Sequence, residues 1–532
     1  MVEELNTTRS LLSDALDRYL DACLTIQQYH LEKRSLTDVP PELSPHVESE
    51  DRLTTELEGK LRKAKAAMRW SRNCSPSLVP IHKLPSDLLA HIFLLVVNLQ
   101  SGLDWSGSPE VLAHVCSRWR EVALQFPLLW RFISLPFTGS VETPQVDRAA
   151  FFASHAHPLH LYIRLNPGNR IFTTDNLDYP KAFAGTIAPH IRSLEVTSVT
   201  VNDFMERYQR SFLAAYFAQC KSGALEFLTL SHQEADPILF DITTDLPEYM
   251  ESSCKALITG NLDQSLAPVT VLRATGLYPI WTSKAYHGLV ELRLSRGGSS
   301  YYGGISISEK HLRGILVASP ALRILEYSIA IVEVRSNRTP VPLDHLESLN
   351  VLEMPSAQLG IFWRLLAPGS KPIQLAIHND DSAFLHLLQN EGGRSFFARS
   401  NVTSIYAKSL GYTCLSLLPD LCPHLKTLVL DGLAVALSYR WPTLETQIDS
   451  CTPHTQLEKL AIVGGFVDND ALPKLVDKFP ALRNLSLWRC IYFPEFRAVQ
   501  SGDTSNLVST YLHVEVVDQD PVHDWEVFAD RP

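Results

Sequence analysis

The chain has 532 residues, 45% of them hydrophobic and 20% charged, the balance of a globular protein with room for two or three domains. A net charge of −11 argues against a general nucleic-acid binder, whose affinity rests on positive charge. Apolar runs such as Ile92 to Val97 are too short to cross a bilayer, and Met1-Val2-Glu3-Glu4 is unlike a secretory signal. Nine scattered cysteines without a CxxC pair do not make a disulfide scaffold, so the expected compartment is reducing, cytoplasm or nucleus, with no membrane association.

Residues 1–73 carry two apolar seams. Leu5, Leu12, Leu16, Tyr19, Cys23, Ile26 and His30 fall largely in alternating steps of three and four, as along a coiled-coil helix. Pro40, Pro41 and Pro45 interrupt the pattern, and Leu53, Leu57, Leu61, Ala64 and Met68 resume it. Two such helices suit either an antiparallel hairpin or a dimer contact, and the shortness of the seams favours the hairpin. Lys60, Arg62, Lys63, Lys65, Arg69 and Arg72 make the second helix basic towards its end. A solvated face that suits a helix C-terminus accounts for them, with a nuclear-import or phosphate-binding patch as the alternative.

The next segment, 78–135, begins with a proline at a helix start. Pro85 lacks an N–H at a position where none is needed, and Leu88, Leu89, Ile92, Phe93 and Val96 follow at helical spacing. After a polar insert, one helical stretch is expected from Glu110 to Phe126, with Val111, Leu112, Val115, Cys116, Trp119, Val122, Ala123 and Phe126 as its apolar set. Pro127 ends it. Small helices cannot bury so many large side chains among themselves, and apolar patches left over mark a partner site. The order Leu84-Pro85, Leu88-Leu89, Ile92-Phe93, Val115-Cys116, Trp119-Arg120, Leu129-Trp130 resembles an F-box of the fungal F-box-like form, which often follows a coiled-coil segment. Asp87 stands where that family often has Glu. The resemblance implies that Leu84 and Pro85 enter a Skp1-type adaptor, with Leu88, Leu89, Ile92, Val115, Cys116 and Trp119 forming or backing the contact. It implies a cullin reached through that adaptor.

Arg131 to Leu135 reads as a strand, and Pro158 to Ile163 as an early strand of the domain that follows. From 136 to 514 an apolar triplet at i, i+3 and i+5 recurs: Ile191/Leu194/Val196, Leu225/Leu228/Leu230, Leu266/Val269/Val271, Leu289/Leu292/Leu294 and Leu322/Leu325/Tyr327. It continues as Leu346/Leu349/Val351, Val402/Ile405/Ala407, Leu425/Leu428/Leu430, Leu457/Leu460/Ile462 and Leu482/Leu485/Leu487. Helical stretches are expected at His311 to Ser319, Thr413 to Leu421 and Ala471 to Phe479, each followed by a proline and the next triplet. A unit of helix, proline and short strand cannot cover its own apolar side, so neighbours must stack. The segment Leu482 to Cys490 matches the LxxLxLxxN/C pattern, and the domain resembles an irregular leucine-rich repeat. The expected fold is therefore α/β: an N-terminal helical hairpin, a three-helix F-box, and a leucine-rich-repeat solenoid (horseshoe).

Residues beside the inward leucines line the opposite face of such a sheet. They include Glu195, Thr197, Phe227, Glu291, Arg293, Glu326, Asp431, Lys459 and Trp488, and of these Glu195, Arg293, Glu326 and Trp488 are the candidate contacts to a protein target. The acidic tail, 515–532, is expected to cap the open end of the repeats. The glycine-rich run Arg296 to Gly304 lacks a phosphate-loop lysine, and His155, His157 and His160 lack partners at metal-site spacing. No cofactor or catalytic residue is expected. The resemblances imply a non-catalytic receptor subunit of a ubiquitin ligase complex holding an unknown protein substrate. A free or Skp1-bound scaffold is the alternative, and an enzyme with a site among the repeats the third.

Overall fold

A computed structural model describes residues 2–32, 43–73, 75, 79–100, 109–137, 143–167, 186–198, 224–232, 238–240, 263–297, 305–335, 339–352, 354–378, 390–408, 418–432, 453–464, 466–468, 471–493, 497–498, 513–517 and 521. The chain divides into two compact units, Met1–Leu89 and Ala90–Pro532.

The first unit contains two helices of 31 residues each, α1 (Val2–Glu32) and α2 (Leu43–Asn73). The Tyr19 hydroxyl reaches Glu50 Oε2 at 2.9 Å and Thr54 Oγ1 at 3.0 Å. Tyr19 and Thr54 lie at nearly equal distances from the connection between the helices, the arrangement of an antiparallel hairpin. A 3-10 turn (Pro80–Lys83) then leads into α3 (Ser86–Gln100), the helix that runs through the division between the units.

In the second unit the stretch expected as one helix is two, α4 (Pro109–Val115) and α5 (Ser117–Leu124). Cys116 between them is extended, and its sulfur accepts the Trp119 backbone N–H at 3.5 Å. Arg120 Nε donates to the Ala113 carbonyl at 3.0 Å, satisfying a carbonyl at the end of α4. A one-residue break leaves the apolar spacing on either side intact, so periodicity alone does not reveal it. Phe93 of α3 meets Trp119 of α5 with ring centroids 4.8 Å apart.

Among the described residues, fourteen strands form one parallel sheet, in which chain order is also spatial order. They are β1 (Phe132–Phe137), β2 (Leu161–Pro167), β3 (Ile191–Ser198), β4 (Phe227–His232), β5 (Val271–Thr275), β6 (Glu291–Ser295) and β7 (Ile324–Tyr327). They continue as β8 (Ser348–Leu352), β9 (Ile373–His378), β10 (Val402–Lys408), β11 (Thr427–Asp431), β12 (Lys459–Val463), β13 (Asn484–Trp488) and β14 (His513–Val516). The register aligns Ile133, Ile163, Leu194, Leu228, Leu272, Leu292, Leu325, Leu349, Leu375, Ile405, Leu428, Leu460 and Leu485 in one row across the sheet. Two residues on, a second row runs from Leu135 to Leu487. Successive side chains of a strand point to opposite faces, so both rows lie on one face, and every member named is buried.

Helices cover that face. α6 (Thr143–Ala156) packs by β1, and α7 (Glu309–Ala318) buries Leu312, Ile315 and Leu316. In α8 (Ser356–Leu365), Phe362 stacks on Tyr327 of β7 at 4.6 Å, and Trp363 meets Phe396 of α9 (Glu391–Ala398) at 4.3 Å. α10 (Leu418–Leu421) and α11 (Ala471–Asp477) precede β11 and β13. The molecule is thus a mixed α/β structure with a large parallel sheet.

Nine of the ten triplets place their last two residues in these rows. The exception is Leu266/Val269/Val271: Leu272 and Ala274 point inward, so the frame is Val269/Leu272/Ala274. Four strands fall outside the triplet pattern because its first position is not aliphatic: it is His160 in β2 and Tyr511 in β14. In β9 it is Pro372, ahead of Leu375 and Ile377. In β1 it is Trp130, which is buried and donates its indole N–H to the Ala123 carbonyl of α5 at 2.7 Å. Trp130 also packs edge-on against Phe152 of α6, so the residue that closes the helical segment packs just ahead of the first strand. α6 itself was not anticipated. Of the expected helices, His311 to Ser319 corresponds to α7 and Ala471 to Phe479 to α11, while 413–417 and the glycine-rich 298–304 lie outside the described residues. The strand β14 includes Glu515 and Val516, and most of the acidic tail lies outside the described residues.

Cutting Leu349, fully buried in the middle of the first row, to alanine removes packing on both neighbouring strands. Leu349→Ala is expected to lower unfolding free energy by about 2–5 kcal/mol in a urea titration.

Candidate protein-interaction surfaces

Two kinds of surface emerge from this architecture: apolar side chains left exposed on the short helices, and the face of the sheet opposite the leucine rows.

In the first unit Leu84 is half-buried, Pro85 exposed and Leu88 54% exposed, whereas Leu89 is buried. In the second unit Ile92 and Leu95 of α3 are exposed, as are Val111 and Val115 of α4, the last at 55%. Cys116 and Trp119 are half-buried and are occupied in part by each other, through the cap at the start of α5. Of the proposed adaptor contacts, then, Pro85, Leu88, Ile92 and Val115 present apolar surface, Leu84, Cys116 and Trp119 are partly covered, and Leu89 sits behind as a packing residue. Exposed aliphatic groups of this size on consecutive turns are the feature that a partner's burial would remove from water.

On the open face of the sheet all nine residues singled out from the sequence lie on the side away from the leucines, as the period of two requires. The central row reads Arg164, Glu195, Thr229, Arg273, Arg293, Glu326, Asn350, Ala376, Tyr406, Val429, Ala461 and Ser486. Its first half is polar and paired. Arg164 Nε lies 2.8 Å from Glu195 Oε2. Arg273 Nε and Arg293 Nε both donate to Glu291 Oε1 at 2.7 Å. Arg293 also approaches Glu326 at 4.0 Å, and Glu326 accepts from Asn350 Nδ2 at 2.9 Å and from the Ser295 hydroxyl. Glu291 and Arg293 are buried. Charges so placed must be compensated by neighbours, and here the partner comes from the same strand for Glu291 and Arg293 and from adjacent strands for Arg273 and Glu326.

Its second half is apolar. Ala376, Tyr406, Val429, Ala461 and Val463 form a buried cluster, with Trp488 partly buried against it. The Tyr406 hydroxyl donates to Asp431, one of the nine, and Arg489 lies over the Trp488 ring at 4.5 Å. Arg489 has φ +51°, the left-handed turn that Gly432 and Gly464 make at the same place after β11 and β12. A non-glycine side chain is disfavoured there, and the indole gives it a partner. The next residue, Cys490, is buried and its thiol donates to the Ile462 carbonyl at 3.3 Å. Phe227 lies beneath the Arg192 guanidinium at 5.8 Å, Thr197 is half-buried, and Lys459 is exposed.

Sequence reasoning missed Arg164, Arg273, Asn350 and Tyr406. Stepping one residue from the inward positions identifies Arg164, Asn350 and Tyr406, whereas Arg273 emerges only in the corrected frame Leu272/Ala274, and Tyr406 gains Ala376 only once β9 is recognised as a strand.

At the N-terminal rim of the strands, Glu347 accepts from Arg323 Nη2 at 2.6 Å and from Lys371 Nζ at 2.6 Å. These two cations, Arg323 above all, hold its carboxyl down at about 2. Of the histidines considered for a metal, His155 packs on Phe151 and Trp130, and His157 lies 6.0 Å from His190. Among the described residues no group of three or more His, Cys, Asp or Glu is placed to hold a metal, and no helix is long and apolar enough to cross a membrane. Burial pushes the Cys422 thiol well above its usual range.

No protein-family model matches this chain, and no curated protein does. Among solved structures, a crystal structure of a Bacteroides fragilis protein aligns with 13% identity over 63% of this chain and 67% of that one, at a TM-score of 0.24.

Two outcomes follow from the paired charges. Arg293→Ala leaves Glu291 with Arg273 alone and Glu326 with the neutral donors Asn350 and Ser295, and is expected to cost about 1.5–3 kcal/mol of stability, read by chemical denaturation. For Glu347, the folded-state pKa is depressed, so its stabilisation is complete above the ordinary value of 4.5 and disappears as pH falls through about 2. Glu347→Gln should be less stable than wild type at neutral pH and should lose less stability over that acid window, measured by urea melts at stepped pH.

Proposed function

We propose that this chain is the substrate-recognition subunit of a Skp1-cullin-F-box ubiquitin ligase. The segment 78–135 docks on a Skp1-type adaptor, and a leucine-rich-repeat domain, with the fourteen-stranded sheet as its inner wall, holds a protein target. The observation that carries the reading is the exposure of Leu88, Ile92 and Val115, three aliphatic residues at positions where the F-box resemblance puts adaptor contacts. Support for the repeat reading comes from the sequential parallel order of the strands, the two aliphatic rows, and the recurrence of helix, proline and strand. In this reading the chain performs no chemistry. It raises the effective concentration of target lysines near a charged ubiquitin-carrying enzyme held elsewhere in the complex.

The target contacts are assigned to the open face, with Glu195, Arg293, Glu326 and Trp488 as the principal residues. Trp488 supports this best: it is a large aromatic at the edge of a sealed apolar cluster and is itself only partly covered. Glu195, Arg293 and Glu326 are engaged with neighbouring strands, so a target reaches them by exchanging partners in the charge row. A second reading, a Skp1-bound or free scaffold that degrades nothing, uses the same surfaces and lacks the cullin.

Leu84→Ala combined with Pro85→Ala is expected to weaken Skp1 binding by about a hundredfold or more, as loss of two apolar anchors does, with the thermal transition of the sheet unchanged. Pull-down as strong as wild type sinks the proposal. Affinity purification with mass spectrometry, wild type against the double variant, then separates the two readings: cullin and ubiquitin-modified targets accompany the ligase subunit, and adaptor without cullin accompanies the scaffold.

A further inference from the structure

The N-terminal hairpin leaves its seam half open. Leu16 on α1 is 39% exposed and Leu57 on α2 44% exposed, and Leu12, Leu61 and Met68 along the same seam are exposed too. A second stripe on α1, Leu20, Leu24 and Leu31, is likewise exposed. One helix cannot shield two stripes of its neighbour, so the pair calls for more helices beside it.

The charges say which helices. The half of the hairpin nearest the connection, residues 14–32 of α1 and 43–58 of α2, carries nine acidic and two basic side chains. The open half, residues 2–13 and 59–73, carries two acidic and seven basic ones. Glu56–Lys60 at 2.8 Å and Glu58–Arg62 at 3.8 Å pair across the boundary within α2 and leave the imbalance in place. Folding α1 back on α2 therefore sets acid beside acid at one end and gathers base at the other. A second hairpin laid in the opposite direction meets both ends with opposite charge at once, using one surface twice, which is the requirement of a two-fold interface. A basic or an acidic peptide satisfies only one end, and a parallel second copy stacks like on like.

We propose that α1 and α2 associate with the same helices of a second copy of this chain, antiparallel about a two-fold axis, to form a four-helix homodimer. The interface is apolar along the open seams and charge-matched at both ends. It is independent of the ligase reading, since no adaptor contact enters it.

Two charge-reversed full-length variants test it by sedimentation velocity at micromolar concentration. One carries Lys63→Glu, Lys65→Glu and Arg69→Glu, making both ends acidic. The other carries Asp14→Lys, Asp17→Lys and Asp51→Lys, removing the acidic end. Wild type is expected to sediment as a dimer, each variant alone to dimerise at least about tenfold more weakly, and an equimolar mixture to recover the dimer as a heterodimer. A monomeric wild type, variants as dimeric as wild type, or a mixture that stays monomeric each overturns the proposal. Recovery in the mixture also shows that neither variant lost its fold.

Discussion

The second unit rests on two rows of aliphatic side chains held in register across a parallel sheet. A strand of five residues exposes an apolar pair on one face and hydrogen-bonding groups on both edges, and alone it satisfies neither. Each neighbour in the order β1 to β14 supplies the missing ladder bonds and the missing van der Waals contacts together. The covering helices then close the apolar face. Tyr327 marks a place where the row widens to an aromatic, and α8 answers with Phe362 stacked upon it.

The same register dictates the other face. If the leucines point one way, the residues between them must point the other, and neighbours along that row sit within reach of one another. Where these are charged and shielded, they have to pair, Glu291 with Arg293 along its own strand and with Arg273 across to the next, and Arg293 in turn with Glu326. Where they are small or aromatic, they gather into the cluster around Tyr406 and Val429. The open face is therefore no uniform row of solvated side chains. It is a compensated charge network on one half and a sealed apolar surface on the other, and a partner that approaches it meets different chemistry according to position.

The short helices obey the opposite constraint. Phe93, Val122, Ala123 and Trp130 are buried, and the indole N–H of Trp130 is satisfied by Ala123, so the inner side of this segment is complete. What remains outside, Ile92, Leu95, Val111 and Val115, has no role in that packing. Helices this short have too much apolar surface for the interior they can enclose. The surplus is available for binding, and the broken helix at Cys116 sets the direction in which α4 presents its share.

Much of this was legible in the sequence. The inward leucines of nine strands, the two N-terminal helices and the excess of apolar groups near position 90 follow from spacing, because periods of 3.6 and 2 are local properties of the backbone. The frame around Val269, the strand β9 behind Pro372, and the place of Trp130 in the core ahead of β1 did not, because each depends on which neighbour the chain meets. The pairing of Arg273 with Glu291, the approach of Arg293 to Glu326, and the gathering of Tyr406, Val429 and Ala461 were decided only by the tertiary structure. Sequence specifies which way a side chain points within its own element. Which side chains it touches is set by the register between elements far apart in the chain, and that register is fixed by burying all the leucines at once.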